Sequence, residues 1–161
     1  MAEKYCGSYN RISAEKYDEF LNELGVNFLL RKAATASSPV FEVISKNWSY
    51  FRVFWYAHFG FDFQVTYDEA SETWNFKTST MLKSMELKFK LGEEFDEKSP
   101  DGRDVRAIVT KEGDSFVSTQ TAKKDGEKST KVVREFKGDE VIQTSTIVGS
   151  DLVCIQVFKR Q

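Results

Sequence analysis

The chain has 161 residues, 30% of them charged and 40% hydrophobic, with a net charge of −2. That length suffices for one domain, 1–161, with a sizeable core, and the slightly acidic balance argues against nucleic acid as a partner. No apolar run is long enough to span a bilayer, the opening MAEKYCGSYN has no apolar signal core, and Cys6 and Cys154, far apart and without paired spacing, read as free thiols of a cytoplasmic protein.

In chain order, Lys4–Ile12 mixes aromatic and small residues and reads as a first strand. Tyr17, Phe20, Leu21 and Leu24 then fall at helical spacing, with Ser13 as the expected N-cap and Gly25 as the stop. Val26, Leu29, Leu30 and Ala33 mark a second short helix that ends at Ser37-Ser38-Pro39. One glycine joins the two, which predicts a tight helix–turn–helix pair. Its only basic neighbours are Arg31 and Lys32, too few for a DNA-reading element.

Val43–Gln64 breaks the rhythm. Its 22 residues hold nine aromatics (Trp48, Tyr50, Phe51, Phe54, Trp55, Tyr56, Phe59, Phe61, Phe63) and the chain's one histidine, His58, with no clean period of 2 or 3.6.

Outside that segment, the chain from Pro39 onward reads as strands separated by turns at Asp68–Ser71, Gly92, Ser99–Gly102, Glu112–Asp114, Lys124–Gly126, Lys137–Asp139 and Gly149–Asp151. Such even spacing predicts an antiparallel barrel or sandwich. Alternation is clean in Met85–Leu91. In Val141–Val148 polar and apolar residues do not separate, Gln143 is set apart from the face of Val141, and the register stays open. The Glu93–Glu97 charge run reads as a solvated turn and strand end. Several strands carry hydroxyls and charges on the face expected to point inward, which suits a wet cavity better than a packed core. The last strand, Leu152–Phe158, places Leu152, Cys154, Gln156 and Phe158 on one face and Val153, Ile155 and Val157 on the other. Gln156 is a polar amide among apolar neighbours and needs a partner, because an unpaired buried amide costs about 1–3 kcal/mol. That partner is protein, water or ligand.

His58 has no acidic or cysteine partner at triad or metal-ligand spacing. No nucleophile motif, phosphate loop or carboxylate dyad is present, so neither an enzyme nor a cofactor is expected.

Several motifs occur in order at matching separations: Glu23-Leu-Gly-Val26, Arg31-Lys-Ala-Ala34, Phe76-Lys-Thr-Ser-Thr80, Phe89-Lys-Leu-Gly-Glu-Glu-Phe-Asp-Glu97, Asp101-Gly-Arg103, and Val153-Cys154 with Lys159-Arg160. Together they resemble the intracellular fatty-acid-binding protein family, which includes the cellular retinol- and retinoic-acid-binding proteins. The resemblance spans Tyr5 to Arg160 outside the aromatic segment. It departs at Arg11, where an aliphatic is usual, and at Lys16, where Asn is usual. It implies a mostly β, ten-stranded antiparallel β-clam with the helix pair as a lid over an internal cavity.

The family holds anionic ligands by an inward Arg on the eighth strand and an Arg-x-Tyr pair on the last. Arg134 matches the first position. Gln156 and Phe158 stand at the other two, as in retinol-binding members, so the chain is a hybrid. The expected ligand is a long-chain fatty acid with its carboxylate on Arg134; a retinoid or neutral lipid is the alternative. Further contacts are expected from Tyr17, Leu29 and Ala33 near the lid, and from Phe76 and Met85. The resemblance also implies a monomer, transient membrane contact through the helical lid, and an intracellular site extending to the nucleus if Arg31 and Lys32 form part of a folded basic patch.

Removing Val43–Gln64 joins Val40-Phe-Glu42 to Val65 as one strand. Val codons begin GT and one Gln codon is CAG, the two ends of an intron, so the segment reads as an in-frame intron translated into the chain. The alternative is a genuine aromatic insert that docks on a membrane or partner. On either reading it is expected to stay out of the ligand cavity.

Overall fold

The computed structural model describes residues 2–35, 62–79 and 84–161. The Pro39 break, His58 and most of the aromatic segment lie outside the described residues. A 3₁₀ turn at Glu3–Tyr5 leads into β1 (Gly7–Glu15), then α1 (Tyr17–Glu23) and α2 (Phe28–Thr35). The strands that follow are β2 (Asp62–Asp68), β3 (Thr73–Ser79), β4 (Ser84–Phe89), β5 (Glu94–Lys98), β6 (Asp104–Glu112), β7 (Ser115–Ala122), β8 (Thr130–Lys137), β9 (Glu140–Ile147) and β10 (Val153–Arg160).

All ten strands form one antiparallel sheet in the order β4-β3-β2-β1-β10-β9-β8-β7-β6-β5. The first strand therefore pairs with the last, and the sheet curls into a barrel whose edges are β4 and β5. Side chains span that seam: the Phe89 and Phe95 rings stack with centroids 6.2 Å apart. This is the expected mostly β clam with a helical lid.

One end of the barrel is an aromatic floor. Tyr5, Tyr9, Phe63, Trp74, Phe76, Phe89, Phe116, Phe136 and Phe158 belong to one buried cluster. Most of their contacts are edge-to-face, such as Phe76–Phe89 at 5.0 Å and Trp74–Phe116 at 4.8 Å. Arg160 closes the floor. Its guanidinium lies over the Tyr9 ring and donates to the Cys6 and Lys4 carbonyls and to the Tyr9 hydroxyl. Position 7 favours glycine: its φ of 150° is a conformation that L side chains rarely adopt, and a Cβ there would push against the end of that guanidinium. The Asp101-Gly-Arg103 motif is a turn clamp between β5 and β6. Arg103, 7% exposed, forks onto Asp101 and also donates to the Lys128 carbonyl.

The other end is the lid. Phe20 and Leu21 of α1 bury against Ile147 and Cys154, with Tyr17, Leu24, Val26 and Ala34 around them. Glu23 ties α1 to the rim by accepting from Lys128 Nζ at 2.9 Å and Ser150 Oγ at 3.0 Å.

Two local expectations need correction. The first helix is not capped by Ser13, which lies within β1; α1 starts at Tyr17, and the capping position is Lys16. Lys16 adopts the left-handed conformation (φ 55°), where Asn is tolerated better than Lys, and it gives no side-chain cap. Gly25 has φ 82° and ends α1 as expected.

The second correction concerns β2, which begins at Asp62 and so takes in the last three residues of the aromatic segment. Phe63 pairs with Tyr9 of β1 and Thr78 of β3 and is 2% exposed. The end of that segment therefore does enter the barrel, because period-two alternation from Val65 puts Phe63 on the inward face.

Candidate functional site

Antiparallel register assembles the site. Residues directly opposite one another share a face, with Cβ atoms about 5 Å apart. Arg134 of β8 is opposite Gln143 of β9, Gln143 is opposite Gln156 of β10, and Gln156 is opposite Ala14 of β1. One polar row thus crosses the inner wall. The row below it holds Phe136, Val141, Phe158 and Arg11. The row above holds Val132, Ser145 and Cys154.

Arg134 sits between aromatic faces, its guanidinium carbon 5.4 Å from the Phe63 ring centroid and 5.5 Å from that of Phe76. Among the described residues it makes no ion pair or hydrogen bond, and its Nε is buried without a partner. Burial lowers its pKa to about 10, against the attraction of the Glu97 carboxylate. Arg134 therefore stays charged at neutral pH, at an energetic cost. The side chains Arg134, Val132 and Gln143 on this face are only half-buried.

Gln156 is 2% exposed. Its Oε1 accepts from Gln143 Nε2 at 3.0 Å, and its own Nε2 is buried without a hydrogen bond. The sequence's question about this amide thus has half an answer in protein. Phe158, 1% exposed, packs 5.7 Å from the Phe63 ring and joins the floor. It extends the apolar surface under the polar row and carries no hydroxyl to add to it.

Among the remaining expected contacts, Phe76 is buried beside Arg134. Met85 is opposite Thr78 on the face that β4 buries at Phe89. Tyr17, the first residue of α1, packs against the lid cluster, and burial pushes its hydroxyl up to about 12. Ala33 is half-buried on α2. Leu29 is a correction: it is 78% exposed, as are its neighbours Phe28 (61%) and Leu30 (52%), so this stretch of α2 turns outward.

The structure adds residues that the sequence reading passed over. Gln143 shares the inward face of Val141, contrary to the open reading of Val141–Val148. Glu97, taken for part of a solvated run, is half-buried and points inward. It accepts from Gln120 Nε2 at 2.5 Å, and Gln120 accepts from Thr130 Oγ1 at 2.7 Å. Burial raises the Glu97 carboxyl pKa, while the Gln120 bond and the charges of Arg134 and Arg103 oppose the rise. Arg11, noted only as an unusual residue, reaches up the inner wall. It donates to the Ala34 carbonyl of α2 at 3.2 Å, and its guanidinium lies 5.3 Å from the Tyr17 ring of α1. Among the described residues, no three His, Cys, Asp or Glu side chains gather as metal ligands would.

Among the described residues, a ten-stranded barrel with an aromatic floor, inward-facing arginines and a helical lid marks the class of lipid-carrying barrels. The family of lipocalins and cytosolic fatty-acid binding proteins matches residues 60–161. A fatty acid-binding protein of Tyrophagus putrescentiae is 38% identical over 96% of each chain. Cellular retinoic acid-binding protein 2 of Mus musculus is 32% identical over 98% of each. The Schistosoma mansoni fatty acid binding protein in complex with arachidonic acid superposes with a TM-score of 0.76 at 25% identity, covering 98% of this chain and 96% of that one. The chain belongs to the lipocalin and cytosolic fatty-acid binding protein family. It is a lipid-binding barrel and not an enzyme.

Proposed function

We propose that the protein is an intracellular carrier of long-chain fatty acids that binds the carboxylate at Arg134 and the chain among the aromatic and aliphatic side chains of the interior. The observation that carries this reading is Arg134 itself: a charged guanidinium on the inward face of β8 with no ion pair or hydrogen bond among the described residues. A carboxylate supplies the missing charge and accepts from the guanidinium fork. Burial of the chain contributes about 0.8 kcal/mol per methylene. Gln156 adds an amide donor without charge, so the head group has fewer charged contacts here than an Arg at that position would give it.

A retinoid is the second reading, favoured by Gln156 and Phe158 and by the likeness to a retinoic acid-binding protein. A retinoic acid carboxylate satisfies Arg134 as a fatty acid does. Retinol leaves that charge without a counter-ion.

Displacement of a fluorescent fatty acid by oleate, retinoic acid and retinol tests the proposal. Oleate is expected to compete at least tenfold better than retinol. Equal competition by oleate and retinol, unchanged in Arg134→Met, would show that Arg134 is not the anchor.

A further inference from the structure

Arginines are not the only inward charges. Glu97 of β5 is opposite Val105 of β6, which is fully buried, so its carboxyl turns to the interior, with Arg134 within electrostatic reach. One oxygen, Oε1, accepts from Gln120 Nε2 at 2.5 Å, and Gln120 is held in turn by Thr130 Oγ1 at 2.7 Å. That chain fixes the orientation of the carboxyl. The other oxygen, Oε2, accepts no hydrogen bond among the described residues and is not sealed off by packing. Two residues before Gln120, on the same face of β7, Ser118 is 2% exposed and its Oγ has no partner. An unsubstituted acyl chain offers these oxygens only methylenes. Where it lies against Glu97 it strips water from Oε2 and returns no bond, a cost that a polar group on the chain removes.

We propose that Glu97 is a second polar subsite, separate from the Arg134 row, for a hydroxyl carried on the ligand's chain, so that the barrel prefers hydroxylated fatty acids to unsubstituted ones of the same length. The ligand carboxylate stays on Arg134, and the chain hydroxyl donates to Glu97 Oε2. The hydroxyl's own oxygen is an acceptor, and the Ser118 proton is a donor without a partner on that wall. A ketone at the same carbon has lone pairs and no proton, so it meets the Glu97 oxygen with nothing to donate.

This inference rests on the fatty-acid reading above, and the experiment separates the two. Stearate, hydroxystearates substituted near the carboxyl, at mid-chain and near the methyl end, and the matching ketones are titrated calorimetrically. The proteins are wild type, Glu97→Leu and Arg134→Met, all as full chains, with thermal melts to establish folding. Wild type is expected to bind one of the hydroxystearates about 5–20-fold tighter than stearate, the worth of one hydrogen bond to a carboxylate, and the matching ketone no tighter than stearate. Glu97→Leu is expected to erase that preference through loss of hydroxystearate affinity, and Arg134→Met to weaken stearate and hydroxystearate alike. The inference falls if no hydroxystearate outbinds stearate, if the ketone binds as well as the alcohol, or if the preference survives Glu97→Leu. The fatty-acid reading then stands when Arg134→Met weakens stearate and falls when it does not. The ketone comparison needs only wild type, so it decides the matter even where Glu97→Leu fails to fold.

Discussion

Replacing Arg134 by Met is expected to have two effects of opposite sign. Burial brings the guanidinium pKa from 12.5 to about 10, and at about 1.4 kcal/mol per pKa unit its charge disfavours the ligand-free fold by about 3 kcal/mol. Contacts with the Phe63 and Phe76 faces return about 1–2 kcal/mol of that. An unbranched Met keeps much of the stem's packing and carries no charge, so the ligand-free variant should be more stable by about 1–2 kcal/mol. For a chain of this size that raises Tm by about 3–6 °C. Oleate binding should move the other way. Losing charge-assisted hydrogen bonds worth about 1.5–3 kcal/mol weakens affinity by about 10–150-fold. Calorimetric melts of the delipidated protein and isothermal titration with oleate read the two quantities separately. A variant that is less stable and binds oleate as tightly as wild type would refute the reasoning, since Arg134 would then be a structural cation with its needs met inside the protein.

Two other substitutions and a deletion give further tests. Glu97→Gln keeps an acceptor for Gln120 and removes the negative charge that competes for Arg134, so oleate affinity at pH 7 should rise about 2–5-fold. Because burial raises the Glu97 carboxyl pKa above its unfolded value, its contribution to stability is present at low pH and lost as pH rises through the raised value; denaturant melts from pH 4 to 8 should show Glu97→Gln gaining on wild type as pH increases. Arg11→Leu removes the bond to Ala34 and the stacking on Tyr17 that join β1 to both lid helices; stopped-flow binding should show oleate association faster by about 3–10-fold, and an unchanged rate would mean that the lid does not gate entry. Deleting Val43–Gln64 brings Val40-Phe41-Glu42 into the register of Asp62-Phe63-Gln64 ahead of Val65, with Phe41 in the inward position of Phe63; the deleted chain should retain its β circular dichroism and bind oleate within about threefold of wild type, whereas an unfolded product would show that 43–64 is integral to the barrel.

What the sequence disclosed and what it hid have physical causes. The last strand was legible as a strand from its apolar run, and alternation groups Gln156 with Leu152, Cys154 and Phe158; which of its two apolar faces turns inward came from the resemblance. Arg134 was legible only through family resemblance, since period two on β8 says nothing about which face turns inward. Gln143 was missed because Val141–Ile147 mixes hydroxyls and an amide with aliphatics on an inward face that is not a dry core. Glu97 was misread because it ends an acidic run whose other members are indeed exposed; strand pairing, not composition, turns that one carboxylate inward. Phe63 was set apart with eight other aromatics, although alternation from Val65 already put the two on one face; its place opposite Tyr9 comes from strand pairing. Arg11 stood out only as an unusual residue, because its partners Ala34 and Tyr17 come near only when the lid folds over β1.

The central claim is that a ligand carboxylate sits against Arg134 inside the barrel. Carbon-13 NMR of bound oleate labelled at the carboxyl carbon, followed from pH 8 to pH 4, tests it most directly. Paired with a buried guanidinium, the carboxylate is expected to stay ionised well below the ordinary carboxylic acid range, with its resonance unmoved across that interval. A bound carboxyl that titrates as it does in water would place the head group at the surface and contradict the account.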